Sequence, residues 1–157
     1  MLVGYLRVDK STGELQSLSQ PGNSPQIRWA ALLALSRMGD ATASQDILKR
    51  VKKAGINDDV VYDLFPDLIY TRNKELFAYL IEVLHSDEKN CTSAGENVSK
   101  IPCAYRVMEM LAPIIKDYPL TLDASGDVNT KDYAAALQTV RTWFKQHPNY
   151  TILNDTY

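Results

Sequence analysis

The stretch from Ser24 to Asp40 constrains the fold more than any other part of the chain. It reads SPQIRWAALLALSRMGD, and residues 29–35 are seven consecutive apolar residues. Ser24 followed by Pro25 is a typical helix start, and Gly39 is a typical helix stop. A helix over 24–38 that is apolar on nearly every side has to be covered on nearly every side. We therefore expect it to be a central helix, surrounded by other helices.

The composition suits one folded domain. Of the 157 residues, 45% are hydrophobic and 23% are charged, and the formal net charge is -2. This balance excludes a disordered chain and a basic nucleic-acid-binding surface. The basic cluster at 49, 50, 52 and 53 alternates with apolar residues at helical spacing, which favours a solvated helix face over a phosphate-binding patch. No apolar run reaches the roughly 18 to 20 residues that a membrane-spanning helix needs.

Glycine, proline and polar residues predict the other elements. Beyond 24–38, the pattern predicts helices over 14–19, 42–54, 58–70, 73–85 and 102–117, and a last helix that Thr130 caps and His147-Pro148 ends. Pro66 predicts a kink or break near Phe65, and Pro113 predicts a bend in the last turns of 102–117. Residues 2–8 form a weak apolar piece. No segment alternates with period two for long, so the pattern allows at most a hairpin near the N-terminus.

The helix starts recur at a nearly fixed spacing. Ser24 and Asn57 are 33 residues apart, and the next equivalent start, near Ile101, is 44 residues further on. The second interval is the same period plus about eleven inserted residues, which form the polar loop 86–100. A period in this range indicates a stack of helical hairpins, in which each hairpin lies between two neighbours. The sequence thus predicts one helical-repeat domain over 1–157, either complete or part of a longer solenoid.

Two stretches of this pattern resemble HEAT repeats. Residues 15–19, LQSLS, followed by 25–35, PQIRWAALLAL, are similar to a first helix that ends in a Leu-rich turn and a second helix of Ala-x-x-Ala-Leu type. Residues 84–87, LHSD, with 105–112, YRVMEMLA, form a looser copy, and in the middle copy Val61-Tyr62 replaces Ile27-Arg28. The resemblance spans 14–117. It implies an all-α fold, a right-handed α-α superhelix of HEAT or armadillo type with about seven or eight helices, and it assigns no catalytic residues.

The same resemblance predicts where a partner would bind. In such a stack the second helices of the hairpins line the concave side, so polar residues of 24–38, 58–70 and 102–117 would converge. The converging residues would be Arg28, Tyr62, Asp63, Asp67, Arg106 and Glu109. We expect Tyr62 and Asp67, beside the Pro66 kink, to remain unpaired and to contact the partner. The predicted function is a non-catalytic scaffold for a protein partner of unknown identity, with no cofactor and no nucleic acid.

An alternative hypothesis is an enzyme, or an accessory domain of one. Asp59, Asp63 and Asp67 are spaced i, i+4 and i+8, and three carboxylates on one helical face suit general acid/base chemistry, a cation or a basic partner. They also suit ordinary roles at a helix N-terminus and in ion pairs. The enzyme hypothesis places Asp63 and Asp67 with Arg106 and Glu109 at a groove.

No residues have the spacing of a metal site. His85 and His147 lie at predicted helix ends, where a cation complements the helix dipole, and no ligands stand at zinc spacing around them. Residues 123–129, DASGDVN, look briefly like a calcium loop. Val128 stands where the sharp turn needs glycine, and Ala134 stands where the closing glutamate should be. We therefore predict a turn there and no metal.

Cys91 and Cys103 flank the inserted loop and enclose eleven residues. A disulfide between them would tie down a long polar insertion and supply roughly 2 to 3 kcal/mol. The alternative is one free thiol in the loop and one in the core. A disulfide favours an oxidising compartment, and so an exported protein, periplasmic or extracellular, over a cytoplasmic one.

Overall fold

A computed structural model describes residues 11–94 and 98–154 of the chain, and these residues are mostly helical. The all-α prediction is therefore confirmed for them. The elements, in chain order, are α1 (Thr12–Leu18), α2 (Pro25–Arg37), α3 (Ala41–Ala54), α4 (Asp58–Asp63), α5 (Phe65–Thr71), α6 (Lys74–Leu84), β1 (Cys91–Thr92), β2 (Lys100–Ile101), α7 (Ala104–Leu111) and α8 (Tyr133–Gln146). The apolar piece 2–8 and the N-terminal hairpin of the sequence prediction lie outside the described residues.

The chain divides into two compact units. The first contains the described residues up to Gly55 together with Tyr62–Tyr79, and the second contains Ile56–Val61 and the residues from Leu80 onward. Helices α4 and α6 each contribute residues to both units. The units are described separately below.

Helix α2 is the centre of the first unit and contacts α1, α3 and α5. The Ser24 hydroxyl caps its start by accepting a hydrogen bond of 3.3 Å from the Ile27 amide, as predicted. All seven residues from Ala31 to Arg37 are buried. Since a helix makes one turn in 3.6 residues, seven consecutive buried residues mean that the helix is covered on every side. The covered stretch begins two residues after the start of the apolar run, because Trp29 and Ala30 are only partly buried.

The break predicted near Phe65 is confirmed. Helix α4 ends at Asp63, α5 begins at Phe65, and Leu64 separates them. Pro66 has no N–H to donate to the preceding turn, and its ring clashes with the carbonyl there, so the helix cannot continue unbroken through this point.

A polar network, buried at Ser36 and Ser44 and half-buried at Asn73, joins α2, α3 and the residue before α6. The hydroxyl oxygens of Ser36 and Ser44 are 2.8 Å apart, and Ser44 donates to the carbonyl of Asp40 at 2.9 Å. The amide Nδ2 of Asn73 donates to the Ser44 hydroxyl oxygen at 3.0 Å. A hydroxyl has one proton and two lone pairs, so Ser44 accepts from both Ser36 and Asn73 while it donates to Asp40. The Ser44 hydroxyl is thereby saturated.

In the second unit the inserted loop contains a small antiparallel sheet. Cys91 pairs with Ile101, and Thr92 pairs with Lys100. The sequence prediction placed no strands here and is corrected on this point, because strands of two residues leave no alternating pattern to detect. Cys91 and Cys103 are buried and form a disulfide, as predicted.

Asp58, the first residue of α4, is hydrogen-bonded to this hairpin. Its carboxylate accepts a hydrogen bond of 3.0 Å from the amide of Thr92. Hydrogen bonds from the side chain and the backbone of Thr92 hold the pKa of Asp58 below its ordinary value. The hairpin is therefore held both by the disulfide and by a carboxylate from another part of the second unit.

Helices α7 and α8 pack against each other, and their ends differ from the prediction. Helix α7 ends at Leu111 and not at 117, because Pro113 terminates it where only a bend was predicted. Asp132, and not Thr130, is the N-cap of α8 and accepts from the Ala135 amide at 2.9 Å. The Thr130 hydroxyl oxygen instead accepts from the Asp132 amide. The predicted end at His147-Pro148 is confirmed.

The segment that follows α8 returns to the end of α7. Ile115 and Ile152 form an antiparallel bridge, with a hydrogen bond of 2.8 Å from the Leu153 amide to the Ile114 carbonyl. Between the two helices, residues 123–127 form the predicted turn, in which the carboxylate of Asp123 accepts from the amides of Ser125 and Asp127.

Candidate functional site

Asp67, one of the predicted partner-binding residues, is bonded within the first unit. The indole Nε1 of Trp29 donates a hydrogen bond of 2.6 Å to its carboxylate. Burial raises the pKa of Asp67, and the bond from Trp29 opposes that rise only in part. The expectation that Asp67 is unpaired is therefore wrong. The two residues are 38 positions apart, so no local pattern could reveal the pairing.

Tyr62 and Asp63 lie at the end of α4 and are exposed, as is Asp59 one turn earlier. Tyr62 retains 54% of its surface exposure. In the first turn of α2, Ile27 is 46% exposed, and Arg28 next to it is partly buried. Among the described residues of the first unit, Tyr62 and Ile27 are the large hydrophobic side chains that remain exposed. They are the parts of this unit best suited to contact another molecule.

The other two predicted residues, Arg106 and Glu109, lie on α7 in the second unit and form an ion pair of 3.4 Å. Glu109 also accepts a hydrogen bond of 2.6 Å from the Tyr133 hydroxyl. This bond, with burial, raises the pKa of Tyr133 to about 12. The rings of Tyr105 and Tyr133 meet edge to face, with centroids 5.7 Å apart. Both oxygens of Glu109 are thus engaged by neighbours within the unit.

The predicted residues therefore fall into two sets. Arg28, Tyr62, Asp63 and Asp67 belong to the first unit, and Arg106 and Glu109 belong to the second. Their convergence at one groove stays a prediction, and so does the enzyme hypothesis that depends on it.

A further candidate site, which sequence reasoning missed, surrounds Trp143 near the end of α8. The rings of Trp143 and His147 are stacked, with centroids 4.5 Å apart and an angle of 16° between their planes. A hollow of about 370 Å³ beside them is also lined by Lys116, Asp117, Asn149 and Tyr150. The Nδ1 of His147 lies 2.9 Å from the carbonyl oxygen of Trp143, one turn earlier. This places His147 at a helix end, as the sequence predicted.

A second hollow, of about 430 Å³, lies along α8, and Trp143 and Gln146 line both hollows. Its lining consists of two amides, two hydroxyls and one indole. The residues are Gln138, Thr139, Thr142, Trp143 and Gln146. The i, i+4, i+8 spacing of Gln138, Thr142 and Gln146 is the sequence signal that could have placed them on one face.

Aromatic side chains support Trp143 from within the unit. Its ring meets that of Phe144 at nearly a right angle, with centroids 5.1 Å apart, and lies 6.3 Å from that of Tyr118. The Tyr118 hydroxyl donates to the Met108 carbonyl at 2.9 Å, and burial raises the pKa of Tyr118 well above its usual range. Tyr150 packs against Phe144. The position of the indole is therefore set by packing on several sides.

Within residues 11–94 and 98–154, no three His, Cys, Asp or Glu side chains are grouped so that they could hold a metal ion. In the same part of the chain, no helix is both long enough and apolar enough to cross a bilayer. Comparison of the chain with protein-family models, with curated proteins and with solved structures found no match.

Proposed function

We propose that the chain is a HEAT-like repeat module that binds a protein partner and catalyses no reaction. The observation that carries this proposal is the complete burial of Ala31–Arg37 in α2. A helix covered on all sides by short neighbouring helices is typical of the interior of a stack of helical hairpins. The sequence resemblance over 14–117 and the hairpin formed by α2 and α3 support the same reading. A right-handed superhelix of HEAT type is the architecture that we propose.

The proposed contact surface in the first unit centres on Tyr62, with Asp63 beside it. A tyrosine contributes a large rigid contact area and a hydroxyl group, and such residues are enriched at the energetic centres of interfaces. Asp67 is assigned a different role from the one that the sequence suggested. Its bond to Trp29 ties the start of α5 to α2, so it positions the segment that carries Tyr62.

Site-specific cross-linking tests the proposal. Tyr62 is replaced by the photoreactive residue p-benzoylphenylalanine, and the protein is irradiated in an extract of its source that includes the proteins outside the cytoplasm. Lys49, which is exposed on α3, carries the same replacement as the matched control. We expect one protein to cross-link at position 62 and not at position 49. Equal labelling at both positions, or none at position 62, contradicts the assigned surface.

The partner identified in this way is then titrated against variants. Tyr62→Ala with Asp63→Asn should weaken binding at least tenfold, about 1.4 kcal/mol, since both side chains are exposed and contribute to contact. Lys49→Ala should leave the affinity unchanged. The urea midpoint of the double variant should match that of the parent, because a fall would mean that the lost binding reflects a damaged fold.

The disulfide supports a location for this function. Bonds of this kind persist in oxidising surroundings, so we propose that the protein acts outside the cytoplasm.

A further inference from the structure

We infer that the face of α8 around Trp143 binds an uncharged saccharide. This site goes beyond the proposed protein-binding function and lies on different residues. Three observations carry the inference: the chemistry of the side chains that line the hollow, the way in which Trp143 is held, and the dimensions of the space.

The lining of the hollow along α8 is uncharged, in contrast to the exposed faces elsewhere. Helix α3 exposes Asp46, Lys49 and Arg50, and 23% of the whole chain is charged. The hollow on α8 instead presents only amide and hydroxyl groups around an indole. A charged ligand is best recognised by opposite charges and charge-assisted hydrogen bonds. The absence of charged groups from this lining therefore favours a ligand that is polar but neutral.

Saccharides match this set of groups. Each sugar hydroxyl both donates and accepts hydrogen bonds, and so do the amides of Gln138 and Gln146 and the hydroxyl of Thr142. The Thr139 hydroxyl donates to the carbonyl of Ala135 at 3.1 Å and offers its lone pairs as acceptors. A pyranose ring also has a face of C–H groups, which packs against the apolar surface of an aromatic ring. Trp143 supplies that ring in the lining of the hollow. The arrangement thus offers the two kinds of contact that a neutral sugar requires.

Trp143 is held in place before any ligand arrives. His147 stacks on its ring, and Phe144 contacts it at nearly a right angle. A side chain already fixed by packing loses little conformational freedom on binding, which favours affinity. The hollow along α8, of about 430 Å³, falls within the size range of small-molecule sites.

Nuclear magnetic resonance tests the inference directly, because the chain has two tryptophans. Each gives one indole N–H signal, and the Trp143→Phe variant assigns them. The probes are maltohexaose, cellohexaose, chitohexaose and mannohexaose, each titrated to about 10 mM, well above a weak dissociation constant of about 1 mM. We expect at least one probe to shift the Trp143 signal in a saturable way. The Trp29 signal, from an indole bonded to Asp67 in the first unit, should stay fixed.

Two matched substitutions on α8 then locate the site. Gln146→Ala removes an amide that lines both hollows and should weaken the effective probe at least fivefold. Lys145→Ala changes the neighbouring exposed residue, which lines neither hollow, and should leave the affinity unchanged. Both side chains are exposed, so both variants should fold.

Three results would overturn the inference. The first is that no probe shifts Trp143. The second is that the Gln146→Ala and Lys145→Ala variants bind the probe with equal affinity, which would place the sugar elsewhere. The third is that the Trp143 signal moves only when the cross-linked protein partner is added, which would make this face part of a protein interface. Failure of the Tyr62 cross-linking experiment has no bearing on these outcomes, because the two tests use different residues and different probes.

Discussion

The Nε of Arg141 donates a hydrogen bond of 2.8 Å to the carbonyl oxygen of Leu84, the last residue of α6. Its two terminal nitrogens donate to the carbonyl of Ser86 and to the carboxylate of Asp87. The last carbonyls of a helix have no partner within the helix and carry the negative end of its dipole. A guanidinium group from α8 therefore caps α6. The first unit contains a similar helix cap, since Arg37 of α2 donates to the carbonyl of Tyr70 near the end of α5.

Replacing Arg141 by methionine should lower the free energy of unfolding by about 2 to 4 kcal/mol, because charged donors are lost from two backbone carbonyls. Asp87→Ala should cost less than about 1 kcal/mol, since 83% of the Asp87 side chain is exposed and a screened ion pair contributes little. Urea denaturation measures both. A similar cost for the two variants would mean that the ion pair, and not the capping of α6, is what Arg141 contributes.

Two aliphatic residues of α2 should differ sharply when truncated. Leu33 is 1% exposed, so Leu33→Ala should leave a cavity and cost about 3 to 5 kcal/mol. Ile27, in the first turn of the same helix, is 46% exposed, and Ile27→Ala should cost less than about 1 kcal/mol. Denaturant-induced unfolding measures the free energy of unfolding of both variants. A cost of under about 1 kcal/mol for Leu33→Ala would mean that α2 is not covered on all sides.

The disulfide should be present in protein made under oxidising conditions. Reduction should add the mass of two hydrogens, and alkylation without reductant should label neither Cys91 nor Cys103, since both are buried and bonded. The Cys91→Ala, Cys103→Ala variant should lose about 2 to 3 kcal/mol, because the unfolded chain regains the freedom that a short closed loop removes. Ready labelling of both thiols in native material would contradict the bond and the export that it supports.

The raised pKa of Asp67 predicts that the stability of the protein depends on pH. Burial raises its pKa in the folded state above the ordinary value of 3.8, so the folded state binds this proton more tightly than the unfolded state. Its contribution to stability is complete below the unfolded pKa and is lost as the pH rises through the folded pKa. Asp67→Asn keeps an acceptor for Trp29 and removes the buried charge. Relative to the parent, this variant should therefore become more stable as the pH rises from about 3 to about 7.

The Trp29→Phe variant should change the pH dependence in the opposite direction. It removes the indole N–H, which is the group that lowers the pKa of Asp67. The pKa should then rise further, and the stability of this variant should fall more steeply with rising pH than that of the parent. Parallel pH profiles for the parent and both variants, measured by urea denaturation, would show that Asp67 is fully solvated.

Local signals in the sequence predicted the helices well. Ser24, Pro25, Gly39 and Gly55 act within one turn of the backbone, so their effects do not depend on the rest of the fold. Pro66 acted in the same way at the break before α5. Pro113 was underestimated, because a proline can bend or end a helix and the choice depends on what packs around it.

Side-chain pairing could not be predicted in the same way. The partners of Asp67 and Arg141 are 38 and 57 positions away, and they meet only because particular helices pack together. The aromatic groups around Trp143 are also brought together by packing, since Tyr118 and Tyr150 come from loops on either side of α8. The disulfide was predictable, because its two cysteines are the only ones in the chain and flank a single loop.

The saturation of the Ser44 hydroxyl has a consequence for how this sequence can diverge. If Ser44 became alanine, the buried Ser36 hydroxyl and the half-buried Asn73 amide would each lose the acceptor that Ser44 provides, and a change in either of those would leave Ser44 with an unused lone pair. Natural relatives should therefore change Ser36 and Ser44 together, to a pair of small apolar residues, more often than they change Ser44 alone. Ser36 and Ser44 would therefore be inherited as a pair, while the exposed residues around them vary independently.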